Sequence, residues 1–118
     1  MRISTLIPML FAVLLLACEP SIGDECETSS QCPSGSICDT SVKDGYCLGV
    51  SCDVDSDCPS ASSCIFFDDY LSYCLADCQS DGDCRDGYRC RSDLGEKRFC
   101  WLPPGENDAP FSRAESAE

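Results

Sequence analysis

Twelve of the thirteen cysteines in this 118-residue chain fall into three copies of one spacing. Within each copy the gaps are five, five, and then eight or nine residues, and successive copies begin 26 residues apart. Unrelated segments rarely share such a period, so the pattern predicts a repeating unit held together by disulfides. The three sets are Cys26, Cys32, Cys38 and Cys47; Cys52, Cys58, Cys64 and Cys74; and Cys78, Cys84, Cys90 and Cys100.

A unit of 26 residues is too short to bury a sufficient hydrophobic core. Chains below ~40 residues usually need disulfides, a metal or oligomerisation. A cross-link that closes a loop of ~15 residues contributes about 3 kcal/mol in the chain-entropy model. Two such links per repeat would compensate for a missing core, and we therefore expect reduction to unfold the protein.

The residues between the cysteines predict hairpins and loops. The stretch from first to third cysteine is rich in Ser, Asp, Gly and Pro, which favour turns. The third and fourth cysteines fit the two arms of a short hairpin, and no window has a helical period. The predicted fold class is small and disulfide-rich: three tandem four-cysteine repeats with short β-hairpins and little or no helix outside a leader. The predicted arms are residues 36–40 with 46–50, 63–67 with 72–76, and 88–92 with 98–102.

The spacing leaves the disulfide connectivity open. Three independent four-cysteine repeats allow 27 pairings. We favour interlaced bonds because they tie the loop half of each repeat to its hairpin half. The alternative joins the fourth cysteine of one repeat to the first of the next, such as Cys47 to Cys52, and leaves Cys26 and Cys100 as a distant pair. The favoured pairs are Cys26–Cys38, Cys32–Cys47, Cys52–Cys64, Cys58–Cys74, Cys78–Cys90 and Cys84–Cys100.

The N-terminus has the features of an export signal. Arg2 precedes an apolar run over residues 6–17, which is short for a membrane span of ~20 residues. Residues 15–18, Leu-Leu-Ala-Cys, resemble the lipobox of bacterial lipoproteins. The resemblance implies cleavage after Ala17, a diacylglycerol thioether at Cys18 and an acyl chain such as palmitate on the new amino group. The alternative is an ordinary cleaved signal with an incidental cysteine.

The cysteine count supports lipidation, because Cys18 is the one cysteine outside the three sets. A lipid bilayer is then the first expected partner, reached through acylated Cys18. The cysteine density favours an oxidising compartment. Glu19, directly after the lipidated cysteine, resembles an outer-membrane signal in some bacterial lipoproteins. We expect an exported bacterial lipoprotein, anchored at the outer membrane or cell surface.

The chain divides into six segments on this interpretation. The C-terminal segment contains three prolines and four acids and little that would pack, which predicts a disordered acidic tail. The segments are a signal peptide at 1–17, a tether at 18–25, repeats at 26–50, 51–76 and 77–102, and the tail at 103–118.

Charge and composition exclude several activities. A formal charge of −13 argues against nucleic acid, which is bound through Lys and Arg, and leaves an unidentified protein or glycan as partner. The chain has no histidine, so it lacks Ser-His-Asp and Cys-His arrangements, and its cysteine gaps do not suit zinc. We therefore expect no enzyme activity, no catalytic residue and no cofactor.

Three aspartates suggest calcium at first sight. Asp53, Asp55 and Asp57 alternate as in an EF-hand loop, but Cys58 and Cys64 stand where that loop needs glycine and glutamate. A looser calcium site remains an alternative. The favoured interpretation is that these aspartates form turns between cysteines.

Repeat 2 contains an unusual apolar cluster. The favoured interpretation is packing between repeats, for example against Trp101, and the alternative is a binding patch, because exposed aromatic clusters mark binding surfaces. The candidate binding patch comprises Phe66, Phe67, Tyr70 and Tyr73.

The residues before each second cysteine carry a family resemblance. The segments Asp-Val-Asp-Ser-Asp-Cys at 53–58 and Gln-Ser-Asp-Gly-Asp-Cys at 79–84 resemble the Dickkopf N-terminal cysteine-rich module, found in tandem in bacterial lipoproteins. The resemblance covers residues 26–102 and implies a compact, non-catalytic extracellular module. The expected function is a membrane-anchored binding or surface-structural module. The alternative is a disulfide-stapled inhibitor of an extracellular hydrolase.

Overall fold

The computed structural model describes residues 19–105 and 109–111, so the leader and Cys18 lie outside it. This part of the chain contains six short strands, and its helix is limited to three single 3-10 turns. The predicted small, disulfide-rich class is confirmed. The strands are β1 (Ile37–Asp39), β2 (Tyr46–Val50), β3 (Ser62–Phe66), β4 (Ser72–Ala76), β5 (Arg89–Arg91) and β6 (Phe99–Trp101), and the 3-10 turns are Ser29–Gln31, Asp55–Asp57 and Asp81–Asp83.

Each repeat is one antiparallel hairpin with its third and fourth cysteines directly opposite each other. The outer strands of repeats 1 and 3 are three residues long, shorter than the predicted arms. In every repeat the first cysteine bonds to the third and the second to the fourth, which is the interlaced arrangement. The bonds are Cys26–Cys38, Cys32–Cys47, Cys52–Cys64, Cys58–Cys74, Cys78–Cys90 and Cys84–Cys100.

The hairpin register gives each repeat a disulfide face and an apolar face. Directly opposed residues project to the same side of an antiparallel pair, so both disulfides of a repeat leave from one face. Residues before and after each fourth cysteine project to the other face. These neighbours are an aromatic and an apolar residue in every repeat, and all six are buried: Tyr46, Leu48, Tyr73, Leu75, Phe99 and Trp101.

The three apolar faces pack into one core. This core was not predicted from the sequence, because each repeat was treated as an independent unit held by disulfides. Tyr46 of repeat 1 contacts Trp101 of repeat 3 at 5.0 Å between ring centroids. Strand alternation explains the difference, because it directs the flanking residues away from the disulfides. The buried cluster consists of Ile22, Val42, Tyr46, Leu48, Ile65, Tyr73, Leu75, Tyr88, Phe99 and Trp101.

The repeats form a closed group in which each contacts the other two. Repeats 1 and 2 share a four-stranded sheet of order β1-β2-β4-β3, joined where Gly49 faces Cys74 and Val50 faces Tyr73. The β5-β6 hairpin of repeat 3 packs on β4 through β6, and Phe99 also forms an isolated bridge with Asp77, the residue that directly follows β4. Gly49 allows the close approach, because a Cβ there would lie 2.8 Å from the Cys74 sulfur.

Both flanking segments join the fold where residues are described. Ile22 is buried in the core, the Gly23 N–H donates to the Cys47 carbonyl (2.8 Å), and the Cys47 N–H donates to the Asp24 carbonyl (3.0 Å). The predicted tether is therefore part of the fold from Ile22 onward. At the other end, residues 109–111 pack against the domain, which differs from the predicted disordered tail.

The tail contact uses a buried carboxylate. The Phe111 N–H donates to Asp39 Oδ2 (3.0 Å), and its ring centroid lies 6.1 Å from that of Tyr73. Asp39 is fully buried and also accepts from the Ser41 N–H and hydroxyl. Residues 106–108 and 112–118 of the predicted tail lie outside the described part of the chain.

Candidate functional site

Two of the three calcium candidates of repeat 2, Asp57 and Asp55, accept hydrogen bonds from backbone and side-chain donors nearby. Asp57 Oδ2 accepts from the N–H groups of Asp53 (2.9 Å) and Val54 (3.1 Å). These two hydrogen bonds hold the pKa of Asp57 below its usual value. Asp55 Oδ1 accepts from the Cys64 N–H (3.0 Å) and from Lys97, and the Lys97 contact is the main reason that the pKa of Asp55 is lowered.

The same two contacts recur in every repeat, which explains the motif before the second cysteine. Gln31 and Asp83 accept from backbone N–H groups three and four residues earlier, as Asp57 does. Ser29 and Asp81 accept from the N–H of the third cysteine, as Asp55 does. Among the described residues, the groups close enough to share one metal ion are cysteine triplets, whose sulfurs already form disulfides.

These contacts also protect the outer edge of the repeat 2 hairpin. The Cys64 N–H is bonded by Asp55, and the Cys64 carbonyl accepts from Lys97 Nζ at 3.1 Å. An open strand edge pairs readily with another chain. Because both backbone groups of Cys64 are already hydrogen-bonded to side chains, a partner strand cannot pair with this residue. At Cys64, therefore, a partner can be contacted only through side chains.

The candidate patch divides between two faces of the hairpin. Tyr73 is buried, and the partly buried Phe67 packs on it and on Phe99 of repeat 3, at 5.9 and 6.1 Å between ring centroids. Packing therefore accounts for the positions of Phe67 and Tyr73. The contact between repeats is made with Phe99, and not with Trp101 as expected. Tyr73 therefore offers no exposed ring to a partner, and Phe67 is only partly exposed.

Phe66 and Tyr70 are the exposed half of the patch, and together with the neighbouring Leu71 they form what we call the hairpin tip. Their exposed fractions are 43%, 94% and 41%. Asp68 Oδ1 accepts from the N–H groups of Tyr70 (2.7 Å) and Leu71 (2.8 Å). The tip backbone is therefore held while its apolar side chains face solvent.

A groove runs beside the hairpin tip, between repeats 2 and 3. Its volume is about 240 Å³, with one wall of Cys64, Ile65 and Phe66 and the other of residues 94–97. Leu94, Gly95 and Glu96 form the turn of the repeat 3 hairpin. Sequence reasoning missed Leu94 as a site residue; the available signal was an apolar side chain in a polar hairpin loop.

The chain matches no protein-family model, no curated protein and no solved structure. Among the described residues, no helix has the length and hydrophobicity needed to span a bilayer.

Charge around the groove is negative on balance. Repeat 2 contains five aspartates and no Lys or Arg. Asp68 and Asp69 stand on the hairpin tip, and Glu96 lines the opposite wall. The one cation of that wall, Lys97, forms an ion pair with Asp55. The groove thus combines apolar walls with an acidic rim.

Arg85 fixes repeat 3 onto repeat 1. Its guanidinium donates to the carbonyls of Gly45 (2.7 Å) and Gly23 (3.2 Å) and stacks 4.8 Å from the Tyr88 ring centroid. Two cations of repeat 3 contact neighbouring repeats. Arg85 uses backbone carbonyls and aromatic rings for this, whereas Lys97 uses a carboxylate.

Proposed function

We propose that this protein is a membrane-anchored extracytoplasmic lipoprotein that binds a partner protein, without catalysis, through the hairpin tip of repeat 2. The observation that carries the proposal is the 94% exposure of Tyr70, on a tip whose backbone is hydrogen-bonded to Asp68. A backbone that is already held loses less conformational freedom on binding, and tyrosine is enriched among residues that dominate interfaces.

The internal repeats indicate that the fold does not need Phe66. It stands two residues after the third cysteine, where repeat 1 has Thr40 and repeat 3 has Ser92. The shorter hairpins of repeats 1 and 3 therefore form with a small polar residue there, one position beyond their outer strands. An exposed phenylalanine at a position that tolerates hydroxyls supports a role in recognition.

The anchor and compartment complete the proposal. Six disulfides indicate an oxidising, extracytoplasmic environment. The lipobox-like residues 15–18 support acylation of Cys18, and Glu19 favours the outer membrane. The resemblance to Dickkopf N-terminal modules supports a non-catalytic role. Because Ile22 is already buried, at most ~14 Å of extended chain would separate the lipid from the domain.

Site-specific photocrosslinking in cells tests the binding function. A benzophenone amino acid in place of Tyr70 should give a discrete crosslinked species. The same replacement at Ile37, an apolar residue of repeat 1 with an exposed fraction of 36%, is the matched control and should give none. Identical patterns at both positions, or no species at Tyr70, would contradict the proposal. A crosslinked hydrolase that loses activity when bound would instead show an inhibitor.

Intact mass of the natively expressed protein tests the anchor. We expect a chain that begins at Cys18 and carries acyl mass, and a gain of twelve hydrogens when the six disulfides are reduced. Cys18→Ser should release the protein from the membrane fraction without changing that gain. A mature chain that begins elsewhere and carries no lipid would refute the anchor.

A further inference from the structure

We propose that the groove between repeats 2 and 3 takes one apolar side chain of a cationic segment of the partner protein, while the acidic rim binds the flanking Lys or Arg residues. This inference rests on the proposed binding function and assigns the chemical class of its partner. Its core is the juxtaposition of Phe66 and Leu94, from two repeats, across one cavity of about 240 Å³.

The size of the groove favours a side chain over a cofactor. Small-molecule pockets usually measure ~300–1,000 Å³ and enclose most of their ligand. This groove is smaller and open, and its walls include Ile65, Phe66 and Leu94. It is therefore suited to one aliphatic or aromatic side chain, with Tyr70 and Leu71 beside it to cover the remainder of the segment.

The charges select a cationic partner. Asp68 and Asp69 are exposed in the turn that begins two residues after Phe66, Glu96 lines the opposite wall, and Lys97 forms an ion pair with Asp55. Complementary charge steers association and disfavours partners of like charge. Anionic lipid headgroups and nucleic acids are repelled by the rim. A neutral glycan can stack on Tyr70 and donate hydrogen bonds to carboxylates, but it has no positive charge for the rim to attract.

The protected edge defines the binding mode. Because the backbone groups of Cys64 are occupied by Asp55 and Lys97, a partner strand cannot extend the sheet at this point. Affinity must come from the groove and rim side chains, so single substitutions there should have large effects. The Asp55–Lys97 pair also fixes the second wall, since it joins the loop of repeat 2 to the arm of repeat 3.

Fluorescence anisotropy with defined peptides tests this inference on the full mature chain. The probe is a short labelled peptide of alternating Lys and Leu. The comparison peptides replace Lys by Glu or Leu by Ser, and a neutral glucan oligosaccharide represents glycans. We expect saturable binding of the Lys-Leu peptide, at least tenfold weaker binding of both comparison peptides, and weaker binding at higher salt.

Variants locate the site. Phe66→Thr, which installs the residue type of Thr40, should weaken Lys-Leu binding at least tenfold, and Asp68→Asn with Asp69→Asn should weaken it and flatten the salt dependence. Ile37→Thr is the matched control and should leave binding unchanged. Circular dichroism and the count of disulfides establish that each variant is folded.

The outcomes separate this inference from the proposed function. Preference for the Glu-Leu peptide or the glucan, or equal binding of the Lys-Leu peptide by Phe66→Thr, overturns the cationic-segment assignment. A discrete crosslink at Tyr70 would leave the binding function in place in that case. If Tyr70 gives no crosslink while the Lys-Leu peptide binds the groove as described, the cationic selectivity holds and the proposed cellular function fails.

Discussion

The hydroxyl of Tyr46 donates to the backbone carbonyl of Cys100, 54 residues away, over a distance of 2.7 Å. The same oxygen accepts from the N–H of Ala76 at 3.1 Å. One phenol thus joins repeat 1, which supplies it, to the ends of the hairpins in repeats 2 and 3. Its burial makes both bonds stronger than equivalent bonds on the surface.

Tyr46→Phe should destabilise the protein by about 1–3 kcal/mol, because it leaves the Ala76 N–H and the Cys100 carbonyl without this partner in the core. Denaturant unfolding with intact disulfides measures the change. Tyr70→Phe removes the same hydroxyl from an exposed position and should change the free energy of unfolding by less than ~0.5 kcal/mol. Equal effects of the two substitutions would contradict the junction role of Tyr46.

Stability should also fall at alkaline pH. Burial raises the pKa of Tyr46 well above its usual value of about 10. The unfolded phenol then ionises before the folded one, so this contribution to stability is fully present below pH ~10 and is lost as pH rises from there toward the folded pKa. The difference in unfolding free energy between the wild type and Tyr46→Phe should shrink over this range. A difference that is constant from neutral pH to pH ~11 would refute the linkage.

Backbone conformation distinguishes Ala61 from its counterparts. It has φ +62°, and the equivalent Gly35 and Gly87 have φ +83° and +89°. A left-handed conformation costs a residue with a Cβ roughly 1–2 kcal/mol, partly offset by the greater entropy of unfolded glycine. Ala61→Gly should therefore stabilise the protein by about 0.5–1 kcal/mol in thermal unfolding.

Gly87→Ala is the reverse experiment and should destabilise by a similar amount. A Cβ at Gly87 has no heavy atom within 4 Å, so crowding does not complicate the result. A stabilising Gly87→Ala would show that the positive φ is not the controlling factor.

The C-terminal contact should contribute measurably to stability. Phe111→Ala keeps the N–H bonded to Asp39 but removes the ring from Tyr73, which should cost about 1 kcal/mol. Hydrogen exchange supplies a second measurement, since the Phe111 N–H should be protected in both proteins. Rapid exchange at Phe111 in the wild type would show that residues 109–111 do not hold this position in solution.

Calcium should not stabilise the fold. Asp57→Ala should lower the melting temperature because it removes the acceptor of the Asp53 and Val54 N–H groups, whereas Asp53→Ala, the matched control, should not. Millimolar calcium should leave the melting temperature of the wild type unchanged. A calcium-dependent increase that either substitution abolishes would restore the calcium interpretation.

The cysteine period was sufficient to predict the class of fold, because hairpins and loops follow from local spacing. It was not sufficient for the shared core. The aromatic residue before each fourth cysteine was visible in the sequence, but its direction depends on register and on two other repeats. The candidate patch shows the same limit, since Tyr70 and Tyr73 differ only in their place relative to the turn, yet one is exposed and the other buried.

The burial of Ile22 shows a further limit of local reasoning. A short polar segment with one apolar residue predicts a tether. Ile22 belongs to the core only because the folded repeats leave an apolar surface beside Tyr46 for it to cover. Leu94 is similar, because its role depends on the hairpin of repeat 2 across the groove.

The closed packing of the three repeats has a consequence for how such a protein can evolve. In an open solenoid each unit contacts only its neighbours, so whole units are gained or lost by duplication. Here repeat 3 returns to repeat 1 through Arg85 and through the Trp101–Tyr46 contact, and an inserted fourth unit would separate those partners. The number of units is fixed by closure, and diversification is confined to loops and hairpin turns such as the one that carries Tyr70.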